Sequence, residues 1–70
     1  MQATAKITVN GRLHEIVATL PLTELLTDLG VDRRLIAVAN NGEVIARDRY
    51  DGVCLADGDS VEVVRMVGGG

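Results

Sequence analysis

The stretch Pro21-Leu22-Thr23-Glu24-Leu25-Leu26-Thr27-Asp28-Leu29-Gly30 decides how the rest of the chain must be arranged. Leu22, Leu25, Leu26 and Leu29 stand at i, i+3, i+4 and i+7, a single apolar stripe on an α-helix, while Thr23, Glu24, Thr27 and Asp28 take the wet side. Both ends are marked. Pro21 is tolerated where the first turn has no intrahelical use for its N–H, Glu24 complements the positive end of the helix dipole, and Gly30 supplies a left-handed cap. One stripe on one short helix needs one apolar surface to cover, and a sheet is the economical partner.

The flanking sequence supplies that sheet. Upstream, Ala3, Ala5, Ile7 and Val9 alternate with Thr4, Lys6 and Thr8, the pattern of a half-buried strand. Asn10-Gly11 accepts the positive φ angles of a two-residue hairpin turn, so Arg12 to Val17 should return antiparallel. Leu13, Glu15 and Val17 share one face there with Ile16 opposite, an imperfect alternation that a bulge or local twist would resolve. Downstream, Leu35-Ile36-Ala37-Val38-Ala39 reads as a central strand buried on both faces. Asn41-Gly42 turns it into the short segment Glu43 to Ala46, and Arg47-Asp48-Arg49-Tyr50-Asp51 reads as a surface turn or one helical turn. After the Asp57-Gly58-Asp59 turn, Ser60 to Val67 is the last strand, with Val61, Val63 and Val67 on one face and Glu62, Val64 and Met66 on the other. The fold class is α+β: a sheet of four to five strands with one main helix on one face.

Composition narrows function before any motif does. Seventy residues, 47% apolar and 24% charged, make one domain with little room for a buried small-molecule site. Tyr50 is the only aromatic residue, so the core is expected to be built from Val, Ile, Leu, Ala and Met, and the stacking that single-stranded nucleic acid needs is missing. A net charge of −3 gives no general attraction to phosphate backbones or anionic lipid. With a single cysteine and no basic leader or long apolar run, the chain is expected to be cytoplasmic, without membrane or nucleic-acid partners.

The remaining feature is the ending, Gly68-Gly69-Gly70. Glycine denies the backbone a side chain and a preferred conformation, so residues 68–70 are expected to form a flexible tail on a domain spanning 1–67. Such a tail can thread into a narrow partner site and present the Gly70 carboxylate there. Val64, Met66 and Val67 put apolar groups on both faces of the strand beside it, the makings of a docking surface.

The Lys6-Ile7-Thr8-Val9-Asn10-Gly11 hairpin, the Leu22 to Gly30 helix, the Asn41-Gly42-Glu43 turn, the Leu55-Ala56-Asp57-Gly58-Asp59 turn and the Val64-Arg65-Met66-Val67-Gly68-Gly69-Gly70 ending together resemble the ThiS family, sulfur carriers of thiamin biosynthesis. The resemblance spans the chain and implies a ubiquitin-like β-grasp fold. It further implies a protein co-substrate, not an enzyme, with no cofactor bound to it. A ThiF-type, E1-like adenylyltransferase would use ATP to adenylate the Gly70 carboxylate. Sulfur from a cysteine desulfurase or another source would convert that adenylate to a thiocarboxylate, 1-thioglycine at Gly70, and thiazole synthase would consume it. Gly68 and Gly69 would be the narrow segment that enters each partner. The chain has no Gly-x-x-x-x-Gly-Lys-Ser/Thr phosphate loop, which leaves ATP to the partner. Pro21, where a capping Thr or Ser is common, and Ala46, where proline is common, depart from the family pattern without touching the tail. Carriers for molybdopterin, cysteine or other metabolites share this chemistry, and a ubiquitin-like binding module that carries no sulfur is the other class open.

Other candidates have plainer explanations. Cys54 between Val53 and Leu55 reads as a small buried hydrophobe, and His14 as a solvated strand residue with no nucleophile beside it. Asp57, Asp59 and Glu62 fall short of a calcium loop, so turn chemistry explains them and no metal is expected. Arg33, Arg34, Arg47 and Arg49 read as solvated, with one pair able to meet an acidic partner surface.

Overall fold

A computed structural model describes residues 3–66 of the chain. Strands β1 (Thr4–Val9) and β2 (Arg12–Val17) form a hairpin, followed by helix α1 (Leu22–Leu29), a 3-10 turn (Arg33–Leu35), strands β3 (Ile36–Asn40) and β4 (Glu43–Ile45), a second 3-10 segment (Arg47–Gly52) and strand β5 (Ser60–Arg65). The five strands lie in the order β2-β1-β5-β3-β4. β5 runs parallel to β1 and antiparallel to β3, so the last strand sits in the middle of the sheet.

The helix forms where the leucine stripe predicts, with Leu22, Leu25 and Leu26 buried. Its end is a left-handed Gly30 at φ 71°: the Gly30 N–H donates to Thr27 O at 3.0 Å and the Val31 N–H to Leu26 O at 3.3 Å. The helix covers one side of the sheet, packing in one cluster with Ile7 and Val9 of β1, Ile36 and Val38 of β3, Val61 of β5, Tyr50 and Leu55. Both asparagine-glycine turns adopt the expected left-handed geometry, Asn10 at φ 51° and Asn41 at φ 53°.

Several expectations are corrected. The β1–β2 register runs pair by pair from Thr4↔Val17 to Val9↔Arg12 with no bulge; instead Leu13, Glu15 and Val17 simply face solvent, Leu13 at 70% exposure. Leu35 is not in a strand. The Asp32 carboxylate accepts the Arg34 N–H at 2.9 Å and caps a 3-10 turn, so β3 starts at Ile36. β3 is buried on the helix side alone, since the helix covers only one face and Ala37 and Ala39 look outward half-covered. The stretch read as a surface turn or one helical turn is a 3-10 segment, but Tyr50 within it is 2% exposed and joins the core, its ring turned inward while its charged neighbours stay wet. Cys54 is exposed rather than buried. Its neighbours Val53 and Leu55 point inward, and extended backbone alternates.

Candidate functional site

β5 is the last described strand before the C-terminal residues, and its position is set from both sides. On the β3 side the ladder runs from Asn40↔Val61 to Ile36↔Arg65 and is extended by the Met66 N–H donating to Leu35 O at 2.8 Å. On the β1 side the direct pairing is short, Thr8↔Ser60 and Val9↔Val61, because β1 turns away at Asn10. The Asn10 side chain supplies the missing rung: its Nδ2 donates to Val63 O at 3.1 Å and its Oδ1 accepts the Val63 N–H at 2.8 Å. Asn41 does the equivalent at the start of the strand, its Oδ1 accepting the Ser60 N–H at 2.9 Å while its Nδ2 donates to Asp59 Oδ1 at 3.1 Å. Sequence reading found both asparagines as turn residues and missed the second task. An asparagine facing a gap in a ladder can present one donor and one acceptor at backbone-like spacing, which is the signal for it.

The Asp57-Gly58-Asp59 turn is built by its own carboxylates, as expected. Asp57 accepts the Lys6 N–H at 2.7 Å and Asp59 the Ala56 N–H at 2.9 Å. Partial burial pushes the Asp59 carboxyl up, but the Ala56 amide with the Asn41 and Asn40 side chains outweighs it, and the group rests below its ordinary value. Among the described residues no group of three or more His, Cys, Asp or Glu is placed to hold a metal ion.

Of the docking residues expected from sequence, Val64 is 56% and Met66 47% exposed. Val64 lies on the sheet face opposite the helix, beside its cross-strand partner Ala37; one strand further Ala39 pairs with Val44, which is 75% exposed. This apolar strip crosses β5, β3 and β4, with Glu62 and Glu43 nearby. Val67 and the tail residues Gly68, Gly69 and Gly70 lie outside the described residues. His14 is half-buried opposite Ile7.

The model of the ThiS family matches residues 7–70, nearly the whole chain and including the three glycines. The chain belongs to the ThiS family. The sulfur carrier protein ThiS of Bacillus subtilis is 37% identical over 49 residues, 70% of this chain and 74% of that protein. The crystal structure of the thiamine biosynthesis protein ThiS from Geobacter metallireducens superposes with a TM-score of 0.81 at 38% identity, over 93% of this chain and 99% of that one. A thiazole synthase of Paramagnetospirillum magneticum is 38% identical over 65 residues, 93% of this chain but 20% of that protein. This ThiS-family chain therefore spans about a fifth of the length of that relative. Its mixed sheet with one covering helix is the β-grasp fold of the ThiS structure.

Proposed function

We propose that this chain is a sulfur carrier of thiamin biosynthesis, a protein co-substrate whose reacting group is the Gly70 carboxylate. The observation that carries the reading is the family match extending through residue 70, the glycine ending included. Support comes from the frame: a last strand braced by β3 on one side and by Asn10 on the other gives Met66 a fixed direction from which the tail departs.

The chemistry follows from what a carboxylate lacks. Its carbon is a poor electrophile because neither oxygen is a good leaving group. In the proposed first step a Gly70 oxygen attacks the α-phosphorus of ATP held by a ThiF-type adenylyltransferase, and pyrophosphate departs. A hydrosulfide-equivalent, originating from cysteine through a desulfurase or from another source, then attacks the carbonyl carbon; the C–O bond to AMP breaks and a C–S bond forms. Gly68 and Gly69 let this end pass where a Cβ would collide. The thiazole synthase relative supports thiazole synthase as the consumer of the sulfur.

No helix among the described residues is long and apolar enough to cross a membrane. We place the carrier in the cytoplasm, with its ATP-using partner. ATP–pyrophosphate exchange by the purified ThiF-type adenylyltransferase tests the first step. Exchange that depends on this chain and disappears when Gly70 is deleted supports the reading; exchange indifferent to the chain contradicts it.

A further inference from the structure

At the C-terminal end of β5 the molecule has an open edge above a cleft. Main-chain groups alternate in direction along a strand, and the Met66 N–H donating to Leu35 O fixes the phase: the groups of Met66 face β3 and those of Arg65 do not. The main-chain N–H and C=O of Arg65 therefore point away from β3, the same way as those of Val63. Val63 is met by the Asn10 side chain, but Arg65 lies one rung past the end of β1, and no described strand stands beside it.

The helix leaves the same corner uncovered. Eight helical residues span about 12 Å against about 20 Å for a six-residue strand, so the sheet outruns its cover. The result is a cleft of about 440 Å³ between the helix C-terminus and β5, with walls from Leu29, Val31, Leu35, Ile36 and Val63 and with Arg65 at its rim.

Of the two charged residues lining the cleft, Asp32 is held by Arg34 at 3.1 and 2.9 Å, which leaves Arg65 as the charge at its rim. On the carrier reading, on which this inference rests, Gly70 is four residues beyond Met66 and within about 14 Å of it when fully extended. Whatever protein closes on Gly70 must bring its surface against this end.

We infer that an extended segment of the adenylating partner, with an apolar side chain next to an Asp or Glu, adds to the free edge of β5 at Arg65, the apolar side chain filling the cleft and the carboxylate meeting Arg65. Edge addition supplies main-chain bonds, the cleft supplies side-chain selection, and Arg65 adds a charge contact. This surface lies on the helix side of the sheet, away from the Val64–Val44 strip.

The test is binding of the full chain to the purified ThiF-type adenylyltransferase, with hydrogen exchange read at the Arg65 amide. Arg65→Glu, at an exposed position, should weaken binding roughly tenfold or more at low salt and less in high salt, while Arg12→Glu on the far edge should leave it unchanged. The Arg65 amide should become protected in the complex. An Arg65→Glu variant that binds like the native chain, or an Arg65 amide that exchanges as fast bound as free, would overturn the surface while leaving the carrier reading standing wherever the native chain still acquires sulfur. A native chain that neither binds nor acquires sulfur would overturn both.

Discussion

Asn10 carries two duties in one side chain, and that makes it a sensitive residue. Its backbone turns the hairpin at φ 51°, and its amide holds Val63 through two bonds. Asn10→Gly separates them, because glycine keeps the turn and deletes the brace. We expect a loss of about 1–2 kcal/mol in urea unfolding, from two hydrogen bonds of ordinary net worth. In the core, Leu22 has no exposed surface, and Leu22→Ala should cost about 2–5 kcal/mol, a large share of what a small domain possesses, so a marked fall in the urea midpoint is expected. At the surface, the side chain and backbone amide of Arg34 hold the Asp32 carboxyl down at about 2 from an ordinary 3.8. A depressed carboxylate stabilises the fold above its unfolded value and loses that contribution as pH falls through the folded one. Asp32→Asn should therefore be less stable than the native chain at pH 5 and converge with it as the pH approaches 2, followed by thermal melts across that range.

The elements differ in how openly the sequence announces them. The helix was legible to both of its ends because leucine spacing, Pro21 and Gly30 agree, and Gly30 takes the left-handed conformation that lets it stop the helix. Gly30→Ala should cost about 1 kcal/mol, since alanine must adopt φ 71° although nothing crowds its Cβ, and chemical unfolding will read it. Both hairpins were legible for the same reason, a dipeptide whose stereochemistry permits one turn. The Arg33–Leu35 turn was hidden because Leu35 continues an apolar run and only the Asp32 cap breaks it. Tyr50 was hidden by charge on every side: a 3-10 segment has no long stripe to reveal which single residue points inward. Burial on one face of β3 could not be told from burial on both, because Ala37 and Ala39 are apolar enough for either.

For the whole molecule, the fold explains how β5 is placed and what it exposes, and on the proposed function the chemistry enters at the end of the chain. A five-stranded sheet with its last strand in the middle holds Met66 in a defined place, next to an apolar strip on one face and an arginine-rimmed cleft on the other. The glycine ending stood out in the sequence as a motif, and the family match runs through it, while its role belongs to the proposed function. The asparagine braces on β5 were not legible, because asparagine in a turn already has a sufficient reason to be there. The central claim is that Gly70 carries sulfur, and intact-protein and fragment mass spectrometry tests it most directly. The chain is incubated with the ThiF-type adenylyltransferase, ATP and a cysteine-derived sulfur source. The account predicts replacement of one oxygen by one sulfur, located in the fragment that contains Gly70 and abolished when Gly70 is deleted. An unchanged mass under conditions where the enzyme forms acyl-adenylate, or sulfur found instead on Cys54, would contradict it.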